Sequence, residues 1–372
     1  MVLIQGDNGQ GKTNLLEAIY MLAVAKSPRA SSDRALVRRV PGEDETYARI
    51  AAVVRRGDQD LRVQIDFRAV VSPTGDGAPA GEVDASTPQS VSVQKYVRVD
   101  GIPRRASDLV GQVNAVMFGA DDLQLVYGPP AERRRYLDVL ISQHDRTYLK
   151  ALQRYQRVVS QRNHLLRMIR DGASRAEELE FWDERLVTEG KQVMARRART
   201  ILSLADVARP IHSALTDGGD CLHVGYRPNA EAGGDDSEDG LGERLVAGIA
   251  ANRRREIAQG VTVTGPHRDD LQILIDGMDA AAYASRGQSR TAVLALRLAE
   301  ARYLARESGQ RPILLLDDAL SELDASRRAR LLDAISGYEQ CLITTADVES
   351  VEGPYLAKMK RLRAHGGTID AA

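Results

Sequence analysis

Gly6-Asp7-Asn8-Gly9-Gln10-Gly11-Lys12-Thr13 fits the pattern G-x-x-x-x-G-K-[ST], and its flanks decide how it is read. Val2-Leu3-Ile4 before it is an apolar strand, and residues 14–23 after it place Leu15, Ile19 and Leu22 at helical spacing. In a strand–loop–helix unit, glycines let the backbone turn tightly, so that its N–H groups converge on phosphate oxygens. The helix N-terminus adds about half a positive charge at the same place. The stretch from Gly6 through Asp7, Asn8, Gly9, Gln10, Gly11, Lys12 and Thr13 to Asn14 is therefore expected to cradle the phosphates of a nucleotide. Lys12 would reach the β- and γ-phosphates and the Thr13 hydroxyl would bind Mg²⁺. The plainer alternative, a Gly-rich turn before an amphipathic helix, is disfavoured by the Lys-Thr pair and by both flanks.

The chain has 372 residues, 43% of them hydrophobic, and a formal net charge of −1. That length suits two or three domains, or one large domain with a lobe. The charge excludes a uniformly cationic surface, so any nucleic-acid face must be a local patch. Cys221 and Cys341 stand far apart and without partners at ligand spacing. They argue against a disulfide framework or a Cys-based metal site, and they fit a reducing, cytoplasmic location. No apolar run approaches the roughly 18 residues of a membrane span, and the short apolar start is no signal peptide. A P-loop strand is normally an inner strand. Here either later strands flank it on both sides or an N-terminal piece is missing.

Further along, residues 47–55 and 61–69 read as strands joined by a turn at 56–59, and 91–99 as a strand closed by Asp100-Gly101. Residues 72–90 form a solvated loop rich in Pro, Gly, Ser and Asp. Residues 113–118 are a short strand. Pro129-Pro130 opens a helix, and from there to about Leu215 the pattern is helical, with a break near 170–174 and a second long helix over 177–204. The pair is expected to be an antiparallel helical lobe, too short for long coiled-coil arms. Residues 228–240 are an acidic, Gly-rich connector. Strands are expected at 261–264, 270–275, 311–316 and 340–344, and helices at 292–306 and 325–335.

Two further stretches carry chemistry. Ile313-Leu314-Leu315-Leu316 ends at Asp317-Asp318 and runs on to Ala319-Leu-Ser-Glu-Leu-Asp324. This reads as a Walker B element: Asp317 on the Mg²⁺ side, Asp318 where a carboxylate polarises the attacking water. Ser285-Arg286-Gly287-Gln288 precedes a helix, with Ser285 as N-cap and Gly287 permitting close approach. Such a helix tip reads phosphate. Since one P-loop already cradles the phosphates, the economical solution is that Ser285, Gly287 and Gln288 read the nucleotide of a second subunit. That is the head-to-tail sandwich of ABC-type ATPases.

At this point the sequence resembles the RecF family of the SMC/ABC class. The matching segments are 6–19, 118–125, 128–138, 161–166, 264–271, 284–291 and 314–324, in family order along nearly the whole chain. The resemblance implies an α/β fold: an ABC-type P-loop ATPase head with a mixed sheet and an inserted, mainly helical lobe. It places the ATPase lobe at 1–128 and 258–372 and the helical lobe at 129–257. It implies ATP-dependent homodimerisation, weak ATP hydrolysis, and binding to gapped DNA and single-strand/double-strand junctions. It also implies partnership with RecO and RecR, which help to place RecA. Arg286 stands where the family usually has Gln, which should tune the contact. Asp318 replaces the Glu of most ABC ATPases and fits slow turnover. The family carries some two dozen residues of sheet before the P-loop strand that this chain lacks, so weakened nucleotide affinity and poor solubility are expected. Other readings of the residues are a nucleotide-binding subunit of an ABC transporter and an ATP-dependent DNA scaffold without meaningful hydrolysis.

Secondary candidates remain. Arg133, Arg134 and Arg135 crowd the first turns of a helix and either bind DNA phosphates or form a solvated cationic face; Arg253-Arg254-Arg255 is a weaker case. His267 and Arg268 could touch nucleotide, DNA or the dimer partner, or belong to a salt-bridged turn. Asp121 and Asp122 follow a strand where a loop could approach Mg²⁺. Thr344-Thr345 stand where ABC proteins often carry a γ-phosphate-sensing His, and a Thr there can still donate one hydrogen bond.

Overall fold

The computed structural model describes residues 1–30, 32–37, 47–73, 89–229, 237–321, 323–348, 351 and 353–371. Most of the expected loop at 72–90, the acid-rich part of the connector at 230–236, and Glu322 lie outside the described residues. The chain forms two compact units, one of residues 1–12 with 116–372, the other of residues 13–115. In chain order the first elements are β1 (Val2–Gln5), α1 (Lys12–Val24), β2 (Tyr47–Arg56), β3 (Gln59–Pro73), β4 (Gln89–Val99), β5 (Ile102–Arg104), α2 (Ala106–Leu109) and β6 (Ala115–Phe118). Then come α3 (Gln124–Tyr127), α4 (Pro130–Ser142), α5 (Arg146–Arg170), α6 (Leu179–Leu215), β7 (Leu222–Arg227), α7 (Glu238–Gln259), β8 (Asp270–Ile275), β9 (Met278–Asp279) and α8 (Ala280–Tyr283). The last are α9 (Arg286–Ser308), β10 (Ile313–Asp317), α10 (Ala325–Ile335), β11 (Cys341–Thr345), α11 (Gly353–Leu356), β12 (Lys360–His365) and β13 (Thr368–Ala371).

The larger unit carries a six-stranded sheet in the order β13-β12-β1-β11-β10-β6. β1 is parallel to both β11 and β12, and β10 is parallel to β11, while β13 pairs antiparallel with β12. The sheet is mixed, as an ABC-type α/β head requires. Leu3, Ile4, Leu314, Leu315, Leu316 and Ile343 are all fully buried, which is why their strands read as unbroken apolar runs. Later strands therefore flank the P-loop strand on both sides.

Against this sheet lies one large apolar cluster that also draws on α4, α6, β7, β8, α9 and α10. α5 and α6 run antiparallel, as the ion pairs Arg196–Asp145, Arg154–Glu189 and Arg162–Asp183 show by their order. Arg197 of α6 is 2% exposed and donates to Asp138 Oδ1 (2.7 Å), the Tyr148 hydroxyl (3.1 Å) and the Pro266 carbonyl (2.6 Å). Removing one side of a buried pair strands the other in low dielectric. Arg197→Met is thus expected to cost about 3–5 kcal/mol of stability, to be checked by denaturant unfolding.

In the smaller unit, β2-β3-β4-β5 form an antiparallel sheet. Val63, Ile65, Phe67 and Val97 are buried on one face, and the alternate residues Arg62, Arg68, Tyr96 and Arg98 are exposed on the other, the period-2 pattern of a one-sided sheet. Asp100 (φ 51°) and Gly101 (φ 77°) close the β4–β5 turn, where positive φ at both positions favours Asp-Gly.

Several sequence expectations change. Residues 261–264 form no strand; two of their amides are met by side chains instead, Thr262 N by Asn163 Oδ1 and Val263 N by Glu256 Oε1, both at 2.7 Å. α6 runs 11 residues past the expected 204, through Pro210. α7, β7, β12 and β13 were not anticipated.

Candidate nucleotide-binding site

β1, β11 and β10 end at one edge of the sheet, with Gln5 paired to Thr345 and Asp317 to Thr344. The crevice outside the carboxyl ends of parallel strands is where open α/β sheets take ligands. The P-loop leaves β1 there. Gly6 N donates to the Thr345 carbonyl at 3.3 Å, and a Cβ on Gly6 would stand 2.5 Å from the Ala364 carbonyl oxygen, so no other residue fits. Gly9 (φ 81°) and Gly11 (φ 93°) take the left-handed conformations of the loop. Asp7, Asn8 and Gly9 are exposed at its tip. Gln10 Oε1 accepts from Gly366 N at 2.6 Å, tying the loop to the β12–β13 turn. Lys12 is 7% exposed and its ammonium donates to the Gly6 (2.5 Å) and Asp7 (2.9 Å) carbonyls. Thr13 and Asn14 follow in the first turn of α1.

The two acids lie at the end of β10. Asp317 is half-buried and Asp318, at φ 51°, is exposed. Thr344 Oγ1 donates to Asp317 Oδ1 (2.9 Å) and accepts from Asp318 N (3.0 Å). Thr345 closes its own turn, donating to the Asp347 carbonyl (2.8 Å) and accepting from Asp347 N (3.0 Å). Asp317 and Asp318 line a cavity of about 90 Å³ together with Phe118, Asp122, Arg290 and Leu294. Asp122 reaches this cavity held at both oxygens: Arg297 donates to Oδ1 (2.6 Å) and Gly119 N to Oδ2 (2.9 Å). Arg297 also pairs with buried Glu300 at 2.8 Å and stacks on Tyr136. Asp121, its exposed neighbour, does not line this cavity.

Among the described residues no group of three or more His, Cys, Asp or Glu side chains could hold a metal by itself. Mg²⁺ asks for less, since it is commonly held by one or two carboxylates with waters and substrate phosphates. Asp317, half-buried at the end of β10, supplies that donor chemistry, so the residue there fits the ion.

Ser285 caps α9: its Oγ accepts from Gln288 N (3.2 Å) and its own N–H donates to Gln288 Oε1 (2.9 Å), a reciprocal capping box. Ser285 and Arg286 are exposed and Gly287 and Gln288 half-buried, although the body of α9 is buried from Thr291 to Leu296. Gln288 Nε2 also reaches Asp220 Oδ1 at 3.3 Å, a contact that no sequence pattern announced.

Most of the other candidates are held within the fold. Arg133 makes a two-pronged pair with Asp270 (2.7 and 3.0 Å) and donates to the Gly128 carbonyl (2.9 Å). Arg134 donates to the Asp269 carbonyl at 2.8 Å, and burial pulls its pKa down. Both guanidiniums grip the chain at β8 rather than standing open to a phosphate backbone, and Arg135 is half-buried beside them. Arg253 pairs with Asp183 at 2.8 Å, while Arg254 and Arg255 are exposed. His267 bonds Tyr155 Oη (2.6 Å) and the Thr262 carbonyl (3.0 Å). Asp269 is buried against Tyr226 Oη, Asn229 N and Arg197. This is the salt-bridged turn; only Arg268 is exposed.

Burial pushes the His267 imidazole down from 6.5 to about 4. Below about pH 6.5 the unfolded chain binds a proton that the folded one refuses, so stability falls with pH until about pH 4. His267→Gln should flatten that part of the stability–pH curve, as thermal melts from pH 7 to pH 4 will test.

Comparison with known proteins gives one answer. Residues 1–366 match the family described as RecF/RecN/SMC N terminal domain. The chain is 44% identical to the DNA replication and repair protein RecF of Chloroflexus aurantiacus, covering 99% of this chain and 93% of the relative. It is 35% identical to the RecF of Bacillus cytotoxicus, covering 99% and 91%. Among solved structures it is similar to the recombination mediator protein RecF with ATP in the RecFOR pathway. That match has a TM-score of 0.84 and 29% identity, and covers 100% of this chain and 91% of the other.

Proposed function

The chain belongs to the RecF family of RecF/RecN/SMC N-terminal domain proteins, and from that premise we propose that it is a DNA replication and repair ATPase. ATP and Mg²⁺ bind at the P-loop, two copies close around the nucleotide, and the closed dimer holds gapped or junction DNA. Slow hydrolysis reopens it, and RecO and RecR are the partners through which RecA is placed. The ATPase lobe is residues 1–128 and 258–372, with 129–257 the helical lobe.

The observation that carries this reading is the edge of the six-stranded sheet. The P-loop and the Asp317-Asp318 pair leave strands on either side of β11, while the serine-capped tip of α9 stays exposed, as a helix must if it is to reach a neighbour's nucleotide. Lys12 holds the β- and γ-phosphate oxygens. Thr13 and Asp317 would hold the metal, which when bound would supply positive charge to offset charge developing on the phosphate oxygens. Asp318 orients and polarises the attacking water. Ser285, Gly287 and Gln288 act across the dimer on the γ-phosphate, so the capping box of Ser285 and Gln288 must exchange partners as the dimer closes. Among the described residues no helix is long and apolar enough to cross a membrane.

Phosphate release measured with and without gapped DNA, beside gel-shift binding to gapped and duplex DNA with and without ATP, tests the reading. Stimulation by gapped DNA and ATP-dependent binding to it are expected. Tight ATP binding with no hydrolysis on any DNA would replace it with the scaffold.

A further inference from the structure

We infer that Thr344 is a positioning residue for both acids of the site, acting through Asp317 on the metal and through Asp318 on water while touching neither nucleotide nor ion. The inference rests on the ATPase reading above. A hydroxyl carries one proton and accepts through its lone pairs. In Thr344 the acceptor side is taken by Asp318 N at 3.0 Å, and the proton points to Asp317 Oδ1 at 2.9 Å; the Leu316 carbonyl, at 3.4 Å, is the poorer acceptor. Thr344 is fully buried in β11, and its β-branch restricts χ1, so the rotor is fixed by packing as well as by partners.

Both contacts matter to geometry. The bond to Asp317 is charge-assisted and turns the carboxylate about its own axis. The bond from Asp318 N holds a non-glycine residue in left-handed conformation at φ 51°, a placement that persists only where the surroundings impose it. Thr344 therefore ties the Asp317 carboxylate and the Asp318 backbone together through one oxygen atom. Its neighbour Thr345 is no substitute, because its hydroxyl both donates to and accepts from Asp347. The γ-phosphate contact expected of this pair of threonines thus gives way to a contact with the acids themselves.

The test compares Thr344→Val, which keeps the shape and deletes the hydroxyl, with Thr344→Ser, which keeps the hydroxyl. ATP affinity is measured by displacement of a fluorescent nucleotide in Mg²⁺ and in EDTA, beside phosphate release and thermal melting. Partners that orient metal ligands typically govern about 10–100-fold in metal affinity or activity. Thr344→Val is expected to lose about 10–100-fold of the affinity that Mg²⁺ confers and a similar factor in kcat, with affinity in EDTA unchanged. Thr344→Ser should restore both. The inference is overturned if Thr344→Val keeps its Mg²⁺ dependence. It is equally overturned if affinity in EDTA and the melting point fall together, or if Ser fares no better than Val. A wild-type protein that binds no ATP overturns the ATPase reading itself, a result distinct from wild-type ATP binding with an indifferent Thr344→Val.

Discussion

Lys12→Ala loses ATP binding by about 10²–10⁴-fold. A charge-assisted hydrogen bond contributes about 1.5–3 kcal/mol, the proposed role has the ammonium reach two phosphates, and each 1.4 kcal/mol is about tenfold. Buried under the loop, the side chain bridges the Gly6 and Asp7 carbonyls. Alanine removes that bridge as well, so the loop itself should loosen. The measurement is displacement of a fluorescent nucleotide, with thermal melting to show that the variant is folded. Affinity within a few-fold of wild type in a folded variant would refute the phosphate-binding role of the loop.

Asp318→Asn should separate binding from turnover. General-base groups contribute about 10²–10⁴-fold, so phosphate release should fall by that order while ATP affinity stays. The amide keeps the shape and the backbone bond to Thr344 Oγ1, and only the charge at the exposed end of β10 is lost. With ATP present the variant should persist as a dimer, seen as a doubled mass by light scattering after size exclusion. A monomer under those conditions, or undiminished hydrolysis, contradicts the proposed cycle.

The sequence was most legible where chemistry forces a residue type. Gly6, Gly9 and Gly11 are dictated by a carbonyl 2.5 Å from an imagined Cβ and by two positive φ angles. The buried strands β1, β10 and β11 had to be apolar runs. Helices with a strong stripe and a cap, such as α10 behind Asp324, were read to the residue. What stayed hidden depends on distant partners. The arginines at 133 and 134 look like a cationic turn in sequence, and only the fold brings Asp270 and the Asp269 carbonyl beside them. α7 carries Gly240, Gly242 and Gly248, which weaken its helical pattern; only residues 238–240 were read, as the end of the connector, and the rest gave no element. β12, with exposed Lys360 and Arg361, lacks the apolar run of its neighbours and gives no strand signal.

That last strand has a further consequence. Val2 pairs with Leu342 and Lys360, so the segment that opens the phosphate loop meets its neighbours only when residues about 340 positions later emerge from the ribosome. At about 5–20 residues per second of synthesis, this apolar segment waits tens of seconds with both edges bare. The phosphate loop thus cannot take its final, strand-supported form until β11 and β12 have both been made.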